Sequence, residues 1–191
     1  SDMYVTLEPC CHFGRTPPCT TSIIKSGVKN VYVSVLDPNP SVDGGGVNNL
    51  KDAGLEVSVG LNEKESLNVM APHFTLMRTG RPLVIAKFAM SLDGKIASVS
   101  GESRWITGRK ARECVHQLRS HSDAVMVGIN TVLTDDPKLT ARDGVLPEGF
   151  TQPLRVVVDS NMRTPVTSSI CNRDAKTLIA TSKSHTHSEF P

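Results

Sequence analysis

Residues 4–36 read YVTLEPCCHFGRTPPCTTSIIKSGVKNVYVSVL, and this stretch decides the fold class. A short apolar run, Tyr4–Leu7, leads into a loop rich in cysteine and proline. The next segment, Thr20–Ser26, is helix-like and stops at Gly27, which is the residue expected just after a helix end. A second run rich in valine, Val31–Leu36, follows. Strands separated by a helix-length segment are typical of parallel sheets, so the stretch predicts a strand–helix–strand unit.

The same alternation continues along the chain. Helices are predicted at Val47–Ala53, which ends before Gly54, and at Arg109–Ser120, which has an apolar face. Repeated alternation of this kind predicts an α/β fold. Valine and isoleucine content, with bounding Gly, Pro and Asp residues, predicts five further strands: Leu55–Val59, Leu83–Met90, Ala124–Val127, Leu154–Asp159 and Thr177–Ala180.

A domain boundary is predicted near Arg78–Pro82, where a helical segment gives way to a new apolar run. The predicted domains are residues 1–79 and 80–191. The chain opens on Ser1, which is not an initiator, and we expect no closing element after its last strand. We therefore expect a piece of something longer, with both domains partial.

The amino-acid composition disfavours proteins that bind nucleic acid or membranes. Lys and Arg total 21 against 19 Asp and Glu, and this balance gives no field that would attract nucleic acid or an anionic membrane. Aromatic residues make up only 4% of the chain, which disfavours base-stacking platforms. No apolar run approaches the roughly 18–20 residues of a membrane span. These features predict a cytoplasmic globular protein whose partners are neither nucleic acid nor membrane.

Cysteine usage points to a metal site. The five cysteines are an odd number, which makes a poor disulfide framework. Cys10 lies at the end of a predicted strand and Cys19 at the start of a predicted helix, so the two could converge on one zinc ion. A helix start is also expected to lower the pKa of the Cys19 thiol. The adjacent Cys11 and His12 are rival ligands, ranked lower because neighbours on a strand end point in different directions. The alternative is a set of unrelated core cysteines.

The glycine-rich run Val42–Gly46 has two interpretations. It could be a phosphate-binding loop, or it could be an ordinary turn at the start of the following helix.

Two sets of residues resemble known families. Leu7–Cys10, followed by a cysteine at a helix start, resembles the cytidine-deaminase superfamily. The long spacing from Cys10 to Cys19, with Asp37–Pro40 after it, is similar to the bifunctional deaminase–reductase of riboflavin biosynthesis. This resemblance implies that Cys10 and Cys19 bind zinc. It also implies that the third ligand, a His, and the proton-shuttling Glu lie upstream of Ser1. We therefore assign no catalytic residue within the chain, and Glu8 is not given that role.

The second half resembles the reductase domain of the same family, which is similar to dihydrofolate reductase. The resemblance implies the C-terminal part of a cytidine-deaminase-like domain followed by the N-terminal part of a dihydrofolate-reductase-like domain. The family's glycine-rich cofactor loop and a substrate-contacting Glu are expected beyond Pro191. The segments that carry the resemblance are Lys87–Lys95, Ser100–Thr107, Leu118–Ser120, Gly128–Pro137, Leu139–Arg142 and Val158–Ser160.

The resemblance also implies site residues. From the residues alone, Trp105 could be a core or interface side chain, the arginines could be solvated, and Asp135 could cap a turn. The positions implied for NADPH are Ala89, Trp105, Thr131, Asp135 and Ser160. The positions implied for substrate are Ser103, Arg119, Leu139 and Arg142, of which the two arginines suit a phosphate.

The implied function has two consecutive steps. Zinc-dependent deamination of a diaminopyrimidine ribosyl phosphate is followed by NADPH-dependent reduction of its ribosyl group to a ribityl group. The implied cofactors are Zn²⁺ and NADPH, and the implied partner is this small molecule, with a homo-oligomer allowed. Because both ends are expected to be missing, the chain alone should be inactive or impaired. The rival functions are a nucleic-acid-editing deaminase and a non-catalytic module closed around zinc by Cys10, His12 and Cys19.

Overall fold

The structure is a computed structural model that describes residues 1–103, 105–142, 146, 148–149 and 151–182. The chain forms two compact units, Ser1–Lys87 and Phe88–Pro191. The predicted domain bounds, 1–79 and 80–191, stay a prediction. Within the described ranges, no helix is long and apolar enough to cross a membrane.

The first unit is built on a parallel three-stranded sheet in the order β1-β2-β3. Tyr4 of β1 lies opposite Tyr32 of β2, and Val33 of β2 lies opposite Val59 of β3. Two helices connect the strands and two follow the sheet. The elements are β1 (Asp2–Leu7), α1 (Cys19–Lys25), β2 (Asn30–Val35), α2 (Gly45–Asp52), β3 (Glu56–Val59), α3 (Glu63–Val69) and α4 (Ala71–Thr79).

The core of the first unit lies between the middle strand and the connecting helices. Strand β2 alternates half-buried and fully buried residues because successive side chains point to opposite faces of the sheet. Its buried valines pack against apolar side chains of α1 and α2. This core cluster consists of Ile23, Val31, Val33, Val47 and Leu50.

The second unit has a parallel sheet in the order β4-β5-β6. Its core cluster contains Leu139 and Val157 with apolar residues of the helix and loop that cover the sheet. The α/β prediction is confirmed, and the six strands correspond to six of the seven predicted ones. The elements are α5 (Arg109–Ser120), β4 (Ala124–Gly128), α6 (Ile129–Asp135), β5 (Leu154–Val158), a single 3-10 turn (Ser169–Cys171) and β6 (Thr177–Ala180).

The predicted strand Leu83–Met90 is wrong, because the structure gives these residues no regular secondary structure. A strand needs a neighbour that satisfies its backbone groups, and these residues have no ladder partner in the described part of the chain. Their side chains are largely exposed, with Val84 at 82% and Phe88 at 73%. The prediction rested on the apolar content of the segment, which says nothing about whether a neighbouring strand is present to pair with it.

A buried arginine organises the second unit. Arg155, in the middle strand β5, is fully buried. Its guanidinium donates to the Thr177 hydroxyl at 3.0 Å, to the Asn172 side chain at 2.9 Å and to the Asn172 carbonyl at 2.6 Å. It also donates to the carbonyls of Lys138, Ser169 and Ala175. Burial lowers the pKa of Arg155, although the nearby Asp174 carboxylate and Cys171 oppose that effect. One cation thus holds the connections on both sides of β5.

A close approach of backbone to backbone occurs at Gly46, near the start of α2. A Cβ atom at this position would lie 1.9 Å from the Pro9 carbonyl oxygen and 3.1 Å from the Glu8 side chain. No real contact is that short, so any side chain here would push α2 away from the end of β1. At Gly14, in contrast, an added Cβ would meet no heavy atom within 4 Å.

We expect Gly46→Ala to lower the free energy of unfolding by about 3 kcal/mol, the upper end of what an overpacked site costs. Thermal and urea unfolding followed by circular dichroism measures the loss. Gly14→Ala is the matched control and should stay within about 0.5 kcal/mol of the parent chain. Equal stability of the two variants would contradict the packing of α2 against the end of β1.

Candidate functional site

The structure brings the first pair of predicted ligands together. Cys10 follows the end of β1, and Cys19 is the first residue of α1. The Cys19 amide donates to the Cys10 sulfur at 3.3 Å, and the Thr20 amide donates to the Cys10 carbonyl at 3.2 Å. The intervening loop therefore closes on itself and leaves two thiols side by side.

The expectation of a lowered pKa at Cys19 is wrong. Its pKa is raised, first by the hydrogen bond with the Cys10 side chain, then by burial and by the charge of Cys10. Two thiols side by side disfavour a second negative charge, because each thiolate repels the other. A bound cation would reverse this balance, since a coordinating thiol is deprotonated by the metal.

The thiol pair fits two positions of a tetrahedral zinc site. Among the described residues, no group of three or more His, Cys, Asp or Glu side chains could hold a metal ion. A closed site of Cys10, His12 and Cys19 is therefore not formed, and His12 is exposed. Cys11 points elsewhere, with its thiol directed at the Ser41 carbonyl at 3.9 Å. The two thiols alone would supply only part of such a site.

A buried carboxylate stands directly before the thiol pair. Glu8, only 3% exposed, accepts hydrogen bonds from the amides of Asp37 at 3.1 Å, Gly44 at 3.0 Å and Val47 at 2.9 Å. Its carboxylate thus satisfies amides at the start of α2 that a phosphate would otherwise bind. The structure favours the turn interpretation of Val42–Gly46 over a phosphate loop.

The sequence interpretation missed a polar pair beside this carboxylate. Asp37, 7% exposed, accepts from the Asn39 amide at 2.9 Å and lies 2.9 Å from Nε2 of His73 in α4. The two residues are 36 positions apart, so no local spacing could have paired them. Only the docking of α4 against the end of β2 creates this contact.

In the second unit, several predicted cofactor positions lie near the carboxyl ends of the strands. Gly128 at the end of β4 is opposite Val158 at the end of β5, so the start of α6 and Ser160 are at the same edge. Thr131 and Asp135 are four residues apart on α6 and therefore share a helix face. Ligands of open parallel sheets gather at such edges.

One hydrogen bond joins the two predicted residue sets of this unit. The Ser103 hydroxyl, on the predicted substrate side, donates to Oδ1 of Asp135, on the predicted cofactor side, at 3.4 Å.

Two arginines form a separate electropositive pair. Arg119, in the last turn of α5, is half-buried and donates to the Thr140 carbonyl at 3.4 Å. Burial lowers the pKa of Arg119, and the positive charge of Arg142 lowers it further. The Gln152 side chain binds both the amide and the carbonyl of Ala141, which fixes the backbone before Arg142. Neither arginine forms an ion pair with a carboxylate in the described part of the chain.

The remaining predicted positions are more dispersed. Leu139 has a left-handed backbone, with φ of 52°, and its side chain is buried in the core of the second unit. Ala89 is half-buried in the irregular segment, Ser160 is exposed, and Trp105 is 74% exposed. The roles of all these positions stay predictions.

Parallel sheets with polar clusters where strands meet loops define an α/β protein of the type that binds small ligands beside its sheets. The chain belongs to the RibD C-terminal domain family, whose model matches residues 82–190. The matched residues fall in the half of the chain for which a reductase-like part is expected.

The relatives match along nearly the whole chain. The riboflavin biosynthesis protein RibD of Aquifex aeolicus is 45% identical over 188 residues, covering 98% of this chain and 52% of that protein. A solved structure from Thermotoga maritima, described as a diaminohydroxyphosphoribosylaminopyrimidine deaminase/5-amino-6-(5-phosphoribosylamino)uracil reductase, has a TM-score of 0.87 and 38% identity and covers 97% of this chain and 52% of that one. The RibD of Acinetobacter baumannii has a TM-score of 0.85 and 44% identity and covers 95% of this chain and 51% of that one. The chain spans about half the length of the relatives it matches.

Asp159, between β5 and Ser160, is a second residue that the sequence interpretation missed. It is fully buried, and its Oδ2 accepts from both the amide and the hydroxyl of Thr164 at 2.8 Å. Burial alone would raise the pKa of Asp159. The Thr164 bonds and the nearby amides of Arg163 and Asn161 outweigh burial, so the pKa lies below its usual value. The charged carboxylate therefore holds the loop that presents Ser160.

We expect Asp159→Asn to destabilise the chain at neutral pH by about 1–3 kcal/mol, the cost of an imperfectly satisfied buried group. The folded pKa is below the unfolded value of about 3.9, so the contribution of the carboxylate is present above that pH and is lost as pH falls through the folded pKa. Urea unfolding from about pH 7 to about pH 3 should show the two chains converging at the acid end. A difference that grows toward low pH would contradict this assignment.

Proposed function

We propose that the chain is about half of a bifunctional enzyme of riboflavin synthesis. The first unit contributes to zinc-dependent hydrolytic deamination of a diaminopyrimidine ribosyl phosphate. The second unit contributes to NADPH-dependent reduction of its ribosyl group to a ribityl group. The proposal includes a small-molecule substrate and a cytoplasmic location, and it allows a homo-oligomer.

One observation carries the proposal. A single relative of known structure, described as both a deaminase and a reductase, matches 97% of the chain with a TM-score of 0.87. The matched share of the chain extends over both units, so one relative accounts for the whole of it. A free-standing metal module would explain the thiols alone, and a nucleic-acid deaminase would leave the second unit unexplained.

In the deaminase half, Cys10 and Cys19 would hold zinc together with a ligand supplied by another part of the longer protein. Zinc supplies the Lewis acidity that activates water for attack on the amine-bearing carbon. Glu8 contributes by ordering the backbone: its three amide bonds fix the strand end from which Cys10 projects. No proton-transfer role is assigned to Glu8, because its carboxylate is buried and already occupied by these amides.

In the reductase half, the second unit would bind and orient the two reactants. NADPH supplies the hydride, so the work of the protein is to align donor and acceptor. Thr131, Asp135 and Ser160 would line the cofactor site, and the Ser103–Asp135 hydrogen bond would couple its geometry to that of the substrate. Arg119 and Arg142 would bind the ribose phosphate, whose negative charge offsets the repulsion between the two guanidinium groups.

The phosphate assignment is tested by binding of ribose 5-phosphate to the purified chain, measured by calorimetry. We expect Arg119→Met to weaken binding about ten-fold or more, because a charge-assisted hydrogen bond contributes about 1.5–3 kcal/mol. Arg173→Met removes an exposed charge elsewhere in the same unit and should change binding little. Ribose without phosphate should bind the parent chain far more weakly. Equal affinity of the parent and Arg119→Met chains for ribose 5-phosphate would contradict the proposed phosphate site.

The metal assignment is tested with Co²⁺ as a spectroscopic substitute for zinc. We expect the parent chain to show a thiolate-to-cobalt absorption band, because thiolates are ligands of both metals. Cys10→Ser and Cys19→Ser should each weaken the band, whereas Cys114→Ser, at an exposed cysteine of α5, should leave it unchanged. A chelator should abolish it. A band that survives in both Cys10→Ser and Cys19→Ser would place the metal elsewhere.

A further inference from the structure

The only tryptophan of the chain lies on the surface. Trp105 is 74% exposed, although a large aromatic side chain is usually well buried. It lies just before α5, at the end of an irregular segment. Core packing therefore does not orient its ring.

Arg112 of α5 does contact that ring. The carbon of its guanidinium lies 4.2 Å from the centroid of the Trp105 ring, well inside the range of a cation–π contact. Nη1 of the same group donates to the Thr107 carbonyl at 2.9 Å. A single guanidinium thus holds both the indole and the backbone two residues beyond it.

The charge of Arg112 has no carboxylate partner within the described ranges. The neighbouring Arg109 differs in this respect, because its Nε is paired with Glu113 at 2.8 Å and its side chain is 88% exposed. Arg112 is half-buried, and its planar group suits stacking in a way that the ammonium of lysine does not. Arg112 therefore contacts the Trp105 ring and the Thr107 carbonyl, and not a charged side chain of the helix.

We propose that Arg112 is a positioning residue, which covers one face of the Trp105 indole and keeps the other face available for a planar ring of NADPH. The proposal rests on the proposed function for the identity of that ligand. Its physical basis is preorganisation: an exposed side chain already held in place loses less conformational entropy when a ligand binds. Arg112 acts through Trp105 and the Thr107 backbone, and it does not take part in the chemistry.

The first experiment uses Trp105 itself as the reporter, without any cofactor. Because the chain has one tryptophan, its fluorescence reports this ring alone. We expect Arg112→Met to raise the acrylamide quenching constant by up to about two-fold, since loss of the cation–π contact uncovers the second face. Fluorescence anisotropy should fall in the same variant. Arg109→Met is the matched control, with the same change on the same helix, and should match the parent chain. Quenching and anisotropy unchanged in Arg112→Met would overturn the proposal.

The second experiment measures NADPH binding by quenching of Trp105. We expect Arg112→Met to weaken binding about two- to five-fold, the equivalent of one exposed cation–π contact. Arg112→Lys keeps the positive charge but lacks the planar guanidinium group. Its affinity for NADPH should therefore lie between those of the Arg112→Met and parent chains. Circular dichroism confirms that each variant is folded.

The outcomes separate the two proposals. Equal NADPH affinity in the parent and Arg112→Met chains, with a ring that has become mobile, would overturn the positioning role while leaving the cofactor assignment standing. A parent chain whose Trp105 does not respond to NADPH would overturn the assignment of Trp105 to the cofactor. In that case, the quenching comparison without cofactor still decides whether Arg112 holds the ring.

Discussion

A buried charge must be satisfied by the groups around it, and such charges order the loops in both units of this chain. In the first unit, the Glu8 carboxylate accepts three backbone amides, from the loop after β2 and from the start of α2. In the second unit, the Arg155 guanidinium donates to four carbonyls and two side-chain oxygens, from the connections flanking β5 and from the start of β6. The two buried side chains carry opposite charges, and each one joins segments that are distant in sequence.

The hydrogen bonds of the Glu8 carboxylate determine where the thiol pair lies. Glu8 stands two residues before Cys10, so the groups that satisfy its carboxylate also fix the strand end that presents the thiol. The close approach of α2, possible only because Gly46 has no side chain, completes that arrangement. Asp159 does similar work in the second unit, where a buried carboxylate caps the loop that carries Ser160. Apart from Leu139, which is buried, the candidate site residues are exposed or half-buried, whereas Glu8 and Asp159, which order the backbone beside them, are buried and charged.

Local patterns predicted most of the fold and only part of the site. Valine-rich runs identified six strands, and the glycines after helices identified α1 and α2, because period and capping are properties of short segments. The connecting helix α6 was not predicted. Leu83–Met90 was predicted as a strand on the same grounds, yet pairing depends on a neighbour that no local pattern describes. The Asp37–His73 contact and the cover of Trp105 by Arg112 were likewise not predicted, since both depend on how a helix packs. The raised pKa of Cys19 had the same cause: the helix start was visible in the sequence, but the neighbouring thiol that outweighs it was not.

The partners that an arginine has within the protein distinguish a structural arginine from one that could bind a ligand. Arg155 is fully buried, and all its bonds are made within the protein, so it has no capacity left for a ligand. Arg119 and Arg142 differ because neither has a carboxylate partner in the described residues, and because burial and the positive charge of Arg142 both lower the pKa of Arg119. A bound anion would offset the repulsion between these two like charges, because it attracts both of them. The same reasoning applies to the two thiols, whose mutual repulsion on ionisation is relieved by a cation. The ligands proposed for the two pairs accordingly differ in sign, a cation for the thiols of the first unit and an anion for the arginines of the second.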